Sequence, residues 1–481
     1  MKIVFIIKGV ENAESIGIMY ICSLLKKHGH ITNCFCTEGA DLYKLMEDIR
    51  PDIIGYSICT GFQDYYQKLN LSLKERFSFI SIFGGPHPTF FPNFIEEKGV
   101  DIICRGEGEY AILELCNSMV KGEDITNIEN LWLKINGQIF RNKLRPLISN
   151  LDKLPWPDRE SSYSIDPTFK DYGVKSFVST RGCPFECSYC FNGSFKDIYG
   201  ISWNKCRRRS PLDLVNEIYE VKNTSCLKFV QFRCSIFPWS TEWLKEFSRY
   251  YKEKIGLPFY CHVRADLLNE ENVKLMAIAG CVSVNMGIEC GDEIYRNTVL
   301  NRTVTNQQIE YACRILHSNG IKILADNMVC LPGGSFELDI ETFEFNRKCK
   351  IDYPLTTILQ PYPGTKIEKY CIDNGYYDGD HSKLYYNYYN ISPLKFNTLK
   401  EKRMMENFHK LFAFVSEYPI LINLIKRLCI LPSNIFFLTI FKLWYAWCNE
   451  NRIIPFERSI IDKKETWQVL FGKFKTDKYE N

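Results

Sequence analysis

The stretch VKSFVSTRGCPFECSYCFN, residues 174–192, places three cysteines directly after a candidate β-strand. The apolar residues of VKSFVST predict the strand, and Gly182 and Pro184 predict a turn where the strand ends. Cys183, Cys187 and Cys190 then follow with the spacing C-x-x-x-C-x-x-C. Three thiols so close together on a turn favour a ligand loop over coincidental core cysteines.

This strand is the first of six that alternate with helical patterns from about Lys175 onwards. Such an alternation predicts a parallel α/β sheet, and six strands predict an open, partial (β/α)6 barrel of the TIM type. Barrel active sites lie at the C-terminal ends of the strands, which is where the three cysteines fall. The strand candidates are VKSFVST, LKFVQF, PFYCHVR, VSVNMGIE, IKILADNMVC and LTTILQP.

Residues 1–121 carry an earlier alternation of five apolar strands, each followed by a helical pattern. Continuous apolar strands predict a parallel sheet covered on both faces, as in a Rossmann-like, flavodoxin-like domain. Such sheets bind ligands beyond the carboxyl ends of their strands. The candidate binding residues at those ends are Ser57, Thr60, Gly84, Gly85, Pro86, His87, Gly106 and Glu107.

Two further regions lie outside these alternations. Residues 122–172 carry an Asn136-Gly137 hairpin signal and the proline-rich LPWP, so we expect a connector with a hairpin. Residues 371–481 are expected to form a mostly helical region with abundant Tyr, Phe and Trp. The predicted domains are therefore 1–121, 122–172, 173–370 and 371–481.

The most apolar run, residues 429–448, is interrupted by Pro432, Ser433, Asn434 and Lys442. It therefore lacks the ~20 consecutive apolar residues that a transmembrane helix needs. Three interpretations stay open: a membrane-surface helix, a hydrophobic wall of the substrate site, or packing against the barrel mouth. We favour packing, and peripheral membrane contact is not excluded.

Composition narrows the functional classes. Lys and Arg number 60 and Asp and Glu 57, so the chain lacks the basic excess that phosphate contacts demand, and nucleic-acid binding is not expected. The N-terminus lacks the long apolar region and the cleavage site of a signal peptide. The 21 cysteines are mostly scattered through apolar runs, so we expect reduced thiols and a cytoplasmic protein.

The three clustered thiols allow more than one kind of metal site. A cube of four irons takes four ligands, so three cysteines leave one iron free to bind a small molecule. A structural zinc site with three cysteines needs a nearby histidine, and none lies between residues 88 and 261. The sequence favours an iron–sulfur cluster over zinc without excluding zinc.

The motif CPFECSYC resembles the cluster loop of radical S-adenosylmethionine (radical SAM) enzymes, C-x-x-x-C-x-aromatic-C. The resemblance continues along the barrel and, upstream, extends to the cobalamin-binding domain that precedes the barrel in one large subfamily. The resemblance covers roughly residues 1–365. The subfamily that the chain resembles is the class B methyltransferase-like one. The motifs that carry it are RRRSP, PFYCHVRAD, AGCVSVNMGIECG, LNRTVTNQQI, NMVCLPGG and PYPGT, with RPDIIGYS, GGPHPTFFP, RGEGE and LPWPD upstream.

The resemblance implies cofactors and residue roles. Cys183, Cys187 and Cys190 would ligate a 4Fe-4S cluster whose fourth iron binds S-adenosylmethionine (SAM). Tyr189 would pack near the adenine, and Arg264 and Glu289 would contact polar parts of SAM. An electron from a donor such as flavodoxin or ferredoxin would release a 5′-deoxyadenosyl radical that abstracts hydrogen from an unactivated carbon. The resemblance assigns no catalytic residue beyond these.

Cobalamin is the third expected cofactor. The Asp-x-His-x-x-Gly pattern that supplies a lower histidine ligand is absent from residues 1–121, so we expect no such ligand. That absence is usual in the methyltransferase branch. The resemblance therefore implies a cobalamin-dependent methyltransferase acting on a small-molecule or lipid-like substrate.

The chain departs from the family pattern at several positions. Cys234 and Ser235 stand where relatives usually carry an acidic pair, Cys290 where Ser is common, and Gly334 where Glu is common. These changes suggest a divergent substrate or impaired chemistry. A radical SAM cyclase, oxidase or rearrangement enzyme, a methylthiotransferase and a non-catalytic cobalamin sensor therefore remain as alternative functions.

Overall fold

The computed structural model describes residues 1–9, 14–37, 41–200, 206–384 and 388–464. The chain divides into two compact units, Met1–Asp171 and Tyr172–Asn481. Each unit is an α/β structure with its own sheet and its own hydrophobic core.

The first unit is built on a seven-stranded sheet in the order β2-β1-β3-β4-β5-β6-β7. The first five strands along the chain are parallel, and their order 2-1-3-4-5 is that of flavodoxin-like folds. The flavodoxin-like fold class predicted for this region is confirmed. The strands are β1 (Lys2–Ile7), β2 (Ile31–Cys36), β3 (Ile53–Ser57), β4 (Ile80–Gly84), β5 (Ile102–Cys104), β6 (Leu131–Ile135) and β7 (Gln138–Arg141).

Helices cover both faces of this sheet because its strands are apolar on both sides. Alternate residues of β1 enter two different cores: Ile3 and Phe5 belong to one, and Val4 and Ile6 to the other. The helices are α1 (Ile16–Lys27), α2 (Leu42–Ile49), α3 (Gln63–Lys74), α4 (Pro86–Phe90), α5 (Glu109–Lys121), α6 (Arg159–Tyr163) and α7 (Thr168–Asp171).

The predicted hairpin extends the sheet. Strands β6 and β7 pair antiparallel, and β6 also pairs antiparallel with β5. Asn136 and Gly137 have φ of +50° and +80°, the left-handed pair that a two-residue hairpin turn requires. Strands from the region predicted as a connector are therefore continuous with the flavodoxin-like sheet.

The second unit contains a six-stranded, fully parallel sheet in the order β15-β14-β13-β12-β11-β8. The first and last strands form its edges, so the predicted open, partial barrel is confirmed. A separate antiparallel pair, β9 with β10, lies next to the cysteine loop in sequence. The strands are β8 (Val174–Phe177), β9 (Thr180–Arg181), β10 (Arg207–Arg208), β11 (Phe229–Phe232), β12 (Phe259–Val263), β13 (Cys281–Glu289), β14 (Lys322–Val329) and β15 (Tyr353–Ile358).

Polar residues cap the helices that connect these strands. Each cap accepts a hydrogen bond from the backbone amide three residues later, which satisfies a donor that the helix leaves free. Caps of this kind are Ser210, Ser240, Asn269, Thr305 and Ser335. The helices of this unit are α8 (Phe191–Tyr199), α9 (Pro211–Thr224), α10 (Thr241–Lys254), α11 (Glu270–Ala279), α12 (Glu293–Thr298), α13 (Asn306–Ser318), α14 (Phe336–Lys348), α15 (Lys366–Asp373), α16 (Leu399–Glu417), α17 (Ile422–Leu428) and α18 (Ile435–Cys448).

The segment after α18 closes the barrel at the N-terminal ends of its strands. The Ser283 hydroxyl in β13 donates to the Ile453 carbonyl, and the Gly173 amide before β8 donates to Asp462 at 2.7 Å. Arg452 donates to the Asp352 carbonyl, just before β15, at 2.8 Å. We expected the apolar C-terminal run to pack at the barrel mouth, where the strands end. That expectation is wrong, because the run packs at the opposite end of the barrel, where the strands begin. Its aromatic side chains join the first residues of the strands in one core.

The C-terminal region is helical, as expected. Within the described ranges, every helix is too short or too polar to cross a lipid bilayer.

Gly291, between β13 and α12, is required by close packing. A Cβ there would lie 2.7 Å from the Glu341 carbonyl oxygen and 2.7 Å from Thr342 Cα, both backbone atoms. We expect Gly291→Ala to destabilise the second unit by about 1–3 kcal/mol, because α14 has to move. Denaturant unfolding measures this change. Gly17→Ala is the control, since nothing lies within 4 Å of its Cβ position, and a loss of stability equal to that of Gly291→Ala would contradict the prediction.

Candidate active site

The three cysteines lie on the loop between β9 and α8, at the carboxyl end of β8. Backbone hydrogen bonds shape this loop: the Cys190 amide donates to the Cys187 carbonyl at 3.1 Å. Ser188 anchors it, because its amide donates to the Leu300 carbonyl at 2.9 Å and its hydroxyl to the Val299 carbonyl at 2.7 Å. The cysteine loop is therefore tied to the segment that follows α12.

The three thiols lie within electrostatic range of one another. Burial raises the pKa of Cys183 to about 11, and the thiols of Cys190 and Cys187 act in the same direction. Burial also raises the pKa of Cys190, whose sulfur lies 3.6 Å from Asn192 Nδ2. In the described ranges, no three His, Cys, Asp or Glu side chains are grouped around a single ion position. Each cysteine of a cubane cluster binds a different iron, so such a cluster needs separated thiols rather than one convergent set.

Two buried guanidinium groups lie against Cys187. Arg264 Nη1 is 3.7 Å and Arg302 Nη1 is 3.9 Å from the Cys187 sulfur. Arg264 also lies over the Phe185 ring, 3.7 Å from its centroid, and its Nε donates to Asp266 at 2.7 Å. Arg264 Nη2 and Arg302 Nε are buried and have no hydrogen-bond partner among the described residues. Burying N–H groups without acceptors is costly, so this pair fits an anionic ligand beside the loop.

Tyr189, Glu289 and Arg302 form one buried network next to the loop. The Tyr189 hydroxyl donates to Glu289 Oε1 at 2.9 Å, and Arg302 Nη1 donates to the Tyr189 oxygen at 3.3 Å. Arg302 also pairs with Glu289 at 3.7 Å and donates to the Gly287 carbonyl at 2.7 Å. A Cβ on Gly287 would collide with Glu289 Oε1 and lie 2.8 Å from Arg302 Nη2, so glycine makes room for both charges.

Burial and neighbouring charges shift the pKa values of Glu289 and Arg302 in opposite directions. Burial raises the pKa of Glu289, while Arg302 and the Tyr189 hydroxyl act against that rise. Burial by itself would lower the pKa of Arg302, but Tyr189 and Glu289 raise it above its usual range. Glu289 also has φ of +69°, uncommon outside glycine, where the register of β13 against β14 shifts. The carboxylate is therefore held at a locally strained strand end.

The lumen of the partial barrel holds a cavity of about 640 Å³. Tyr189 and Glu289 line it at the cysteine-loop end, and Tyr445, Ile453 and Ile454 line it at the closed end. Between these ends, alternate residues of the strands β11 to β15 face the lumen, as strand geometry requires. The inward side chains are Gln231, Tyr260, His262, Asn285, Leu324, Asp326, Met328, Leu355 and Thr357.

Charged and polar groups face this cavity from several strands. Burial raises the pKa of Asp326 to about 7, and the Glu289 charge adds to the rise. Burial lowers the pKa of His262 to about 4, so its imidazole is neutral at pH 7. Arg233 lies at the end of β11, where its Nε donates to Gln231 at 3.2 Å. The cavity therefore presents a cation, two carboxyl groups and a neutral imidazole to a ligand.

Asp326, Arg233 and Arg302 were missed as site residues in the sequence. Asp326 interrupts the apolar strand IKILADNMVC, and a charge inside a buried strand is a signal that could have identified it. Arg302 belongs to the motif LNRTVTNQQI, but its contact with the cysteine loop depends on a fold that brings residues over 100 positions apart together.

Cys234 and Ser235, which replace the acidic pair of relatives, both line the cavity. The Cys234 sulfur lies 3.3 Å from the Ser179 hydroxyl, and Ser235 Oγ accepts from Asn192 Nδ2 at 3.1 Å. Neither side chain offers a carboxylate. Asp326 supplies one to the same cavity from β14 instead.

In the first unit, the loops after β3 and β4 lie against each other. The Ile58 amide donates to the Gly84 carbonyl at 2.8 Å, and the His87 amide donates to the Ile58 carbonyl at 3.0 Å. Gly85 has φ of +94°, and a Cβ there would lie 2.9 Å from backbone atoms of Ile58. Pro86 is the first residue of α4. The glycine is what lets these two strand ends meet.

The side chains at this edge are small or neutral. Ser57 is exposed, and Thr60 Oγ1 lies 3.3 Å from His87 Nδ1. Burial lowers the pKa of His87 to about 4, and its ring centroid lies 5.2 Å from those of Phe91 and Phe94. An edge of backbone groups, glycine and small hydroxyls fits the close approach of a large flat ligand.

Gly106 joins this edge, but the Glu107 carboxylate is already engaged. The Gly106 amide donates to the Thr89 hydroxyl at 3.0 Å, and that hydroxyl donates to the Gly85 carbonyl at 2.8 Å. Glu107 Oε2 accepts from the Ile148 amide at 2.8 Å. Seven of the eight candidate residues therefore lie around the touching loops, and Thr89 is a bridging residue that the candidate set omitted.

Comparison with known families identifies the two units. A family model described as "B12 binding domain" matches residues 3–116, and one described as "Radical SAM superfamily" matches residues 177–345. The chain is a radical SAM enzyme with a B12-binding domain. Its cofactors are accordingly a 4Fe-4S cluster, SAM and cobalamin.

Curated relatives of this radical SAM enzyme include a methyltransferase and a cyclase. An uncharacterised methyltransferase of Pyrococcus horikoshii is 28% identical over 398 residues, which cover 78% of this chain and 84% of that protein. The anaerobic magnesium-protoporphyrin IX monomethyl ester cyclase of Rubrivivax gelatinosus is 26% identical over 72% of this chain. The alignment spans 64% of that cyclase, so the match leaves part of it uncovered.

A solved structure shares the fold of this radical SAM enzyme. The cobalamin-dependent SAM radical enzyme OxsB, with aqua-cobalamin and SAM bound, superposes with a TM-score of 0.67 at 15% identity. That superposition covers 98% of this chain and 83% of the OxsB chain. At this level of identity the likeness shows the fold alone.

Asp326 gives this enzyme a pH-dependent stability that a single substitution tests. Its folded pKa of about 7 lies above the unfolded value of about 4, so between these values the folded chain holds a proton that the unfolded chain has lost. Stability from this group is therefore present below pH 4 and lost as pH rises to 7. We expect Asp326→Asn to reduce that loss by on the order of 4 kcal/mol.

Denaturant unfolding of the cofactor-free chain across this pH interval measures the effect. Asp373→Asn, at an exposed ion pair with Lys369 on α15, is the matched control and should keep the wild-type pH dependence. An Asp326→Asn variant with the pH dependence of the wild type would show that this carboxyl group titrates normally.

Proposed function

We propose that this chain is a cobalamin-dependent radical SAM methyltransferase that replaces hydrogen with methyl at an unactivated carbon of a small-molecule or lipid-like substrate. One observation carries the proposal: a three-cysteine loop with unsatisfied buried arginine donors lies at one end of the cavity in the barrel lumen. A B12-binding domain in the same chain supports methyl transfer among the reactions open to radical SAM enzymes.

We assign the cluster to Cys183, Cys187 and Cys190, which leaves one iron for the amino and carboxylate groups of SAM. When bound, the cluster supplies the electron that cleaves SAM into methionine and a 5′-deoxyadenosyl radical. Cys190 is the N-cap of α8, so the N-terminal backbone dipole of that helix favours the negative charge of a thiolate-bound cluster. An external donor such as flavodoxin or ferredoxin would provide the electrons.

The residues beside the loop would hold SAM. Arg264 Nη2 and Arg302 Nε are buried donors without an acceptor, and the SAM carboxylate would accept hydrogen bonds from them. Glu289 would accept hydrogen bonds from the positively charged amino group or from the ribose. Tyr189, which holds Glu289 in place by its hydroxyl, would pack with its ring beside the adenine.

The first unit would hold cobalamin at the carboxyl ends of β3, β4 and β5. We assign this role to Ser57, Thr60 and residues 84–87, with Gly106 beside them. His87 is buried between Phe91 and Phe94, so we do not assign it as a cobalt ligand.

Each methylation would consume two molecules of SAM and two electrons. One SAM gives its methyl group and becomes S-adenosylhomocysteine, while a second SAM and two electrons yield methionine and 5′-deoxyadenosine. The 5′-deoxyadenosine carries away the substrate hydrogen, and a C–H bond becomes a C–CH₃ bond.

The cavity favours an amphiphilic substrate. Its lining combines apolar side chains, such as Leu324, Ile453 and Ile454, with the opposite charges of Asp326 and Arg233. A substrate with an apolar body and a polar or charged group would match both parts. A cyclisation is the second candidate, since one curated relative is a cyclase.

Isotope transfer distinguishes these candidates. The chain, purified without oxygen and reconstituted with iron, sulfide and cobalamin, is given trideuteromethyl-labelled SAM, a reductant and extracted cellular lipids and metabolites. Methyl transfer predicts a product carrying the trideuteromethyl group together with 5′-deoxyadenosine and S-adenosylhomocysteine. 5′-Deoxyadenosine with no labelled product would favour cyclisation, and the absence of 5′-deoxyadenosine would favour a sensor.

The cluster assignment has its own test. We expect Cys187→Ala to lose the intact cluster and at least about 90% of 5′-deoxyadenosine formation, because one iron loses its protein ligand. Iron content and visible absorption after anaerobic reconstitution measure this loss. Cys290→Ser is the control, since Cys290 is buried against Thr342 and is not on the cysteine loop. Full iron content in Cys187→Ala would refute the assignment.

A further inference from the structure

The segment from residue 418 to residue 447, which contains α17 and most of α18, exposes many large apolar side chains. Of 21 exposed large hydrophobic residues in the described ranges, nine lie between positions 418 and 447. We call this surface the C-terminal apolar face. Its members are Tyr418, Ile420, Leu424, Ile430, Leu431, Ile435, Phe436, Leu443 and Trp447.

These residues are exposed because the opposite sides of the same helices already pack on the protein. In α18, Phe437, Phe441 and Tyr445 are buried, whereas Ile435 is 81% and Phe436 66% exposed. Ile435, Thr439, Leu443 and Trp447 are exposed at intervals of four residues and so form one stripe along the helix, which is apolar except for Thr439. The stripe is a second apolar side, separate from the one that α18 uses for the core.

Aromatic contacts join the stripe of α18 to the end of α16. The rings of Trp444 and Trp447 stack with centroids 5.3 Å apart, and Trp444 lies 6.1 Å from Tyr418. Tyr418 is followed by Ile420, which is 90% exposed. The Trp447 end of the stripe is therefore connected to the segment that begins at Tyr418. Continuous exposed patches of this kind mark interaction sites.

The charged residues inside this segment have a single sign. Residues 418–449 contain Lys426, Arg427 and Lys442 and no Asp or Glu, and the flanking Glu417 and Glu450 are paired with Arg452 and Arg458. Asp and Glu make up 57 of 481 residues, so a stretch of this length would hold about four on average. Excluding acids while keeping cations makes the face attractive to anionic surfaces.

We propose that the C-terminal apolar face binds the surface of an anionic phospholipid bilayer. The apolar side chains of α18 would enter the boundary between headgroups and acyl chains, and Trp and Tyr favour that depth. Lys426, Arg427 and Lys442 would contact the anionic headgroups. A second copy of the chain is a poor occupant, because a symmetric contact would bring the same cations against each other.

Vesicle flotation with the full chain tests this proposal. We expect the chain to float with vesicles of phosphatidylcholine mixed with phosphatidylglycerol, and to float much less with phosphatidylcholine alone. Raising the salt concentration should reduce binding, because salt screens the attraction of the cations. Absence of flotation with either vesicle, or equal flotation with both, would overturn the proposal.

Two variants separate the apolar and charged contributions. Ile435→Ser with Phe436→Ser should abolish flotation, since it removes the two most exposed side chains of α18. Lys426→Gln with Arg427→Gln should weaken binding to the mixed vesicles by on the order of tenfold. Ile294→Ser, an exposed apolar position on α12, is the control and should float like the wild type.

Sedimentation of the same proteins tests the competing occupant. A dimer that dissociates on Ile435→Ser with Phe436→Ser would assign the face to a second copy and overturn the membrane proposal. A wild type that stays monomeric and floats only with the anionic vesicles would support it. These readouts do not require enzymatic activity, so a failed methyl transfer assay leaves their outcome unaffected.

Discussion

The buried ion pair between Glu289 and Arg302 is the constraint on which the reaction end of the barrel depends. A carboxylate and a guanidinium can be buried together only if each satisfies the other and the remaining donors and acceptors find partners. Tyr189, the Gly287 carbonyl and the Cys187 sulfur supply partners within the protein, and Arg302 Nε is the buried donor that they leave for a ligand. Because these contacts come from the cysteine loop, from β13 and from the segment after α12, the pair fixes three distant parts of the chain relative to one another.

Glycines make both candidate binding edges possible. Gly287 has no side chain, which leaves space for the Glu289 carboxylate and the Arg302 guanidinium beside its backbone. Gly85 lets the loop after β4 touch the loop after β3. Both glycines lie at or near the carboxyl end of a parallel strand, where backbone groups are no longer used by the sheet. The two units therefore use one physical device, close backbone approach at a strand end, for different ligands.

The helix α18 has a buried apolar side and an exposed apolar side. One side, with Tyr445, joins the core at the N-terminal ends of the barrel strands, and Ile453 and Ile454 close the cavity there. On the proposed function, the reaction takes place at the opposite, cysteine-loop end. The other side remains exposed, and its cations make a lipid surface its best match, which would suit an enzyme whose substrate is lipid-like.

The sequence alone determined the fold class and the position of the cysteine loop, because both follow from local patterns. Apolar strands alternating with helices specify parallel sheets, and the spacing of Cys183, Cys187 and Cys190 does not depend on the rest of the chain. Tertiary structure alone decided that Arg302 reaches Cys187, that Asp326 faces the cavity, that Glu107 is engaged by Ile148, and which end of the barrel α18 covers. These contacts join residues far apart in the chain, and a local pattern carries no information about which distant partner satisfies a buried charge or an apolar face.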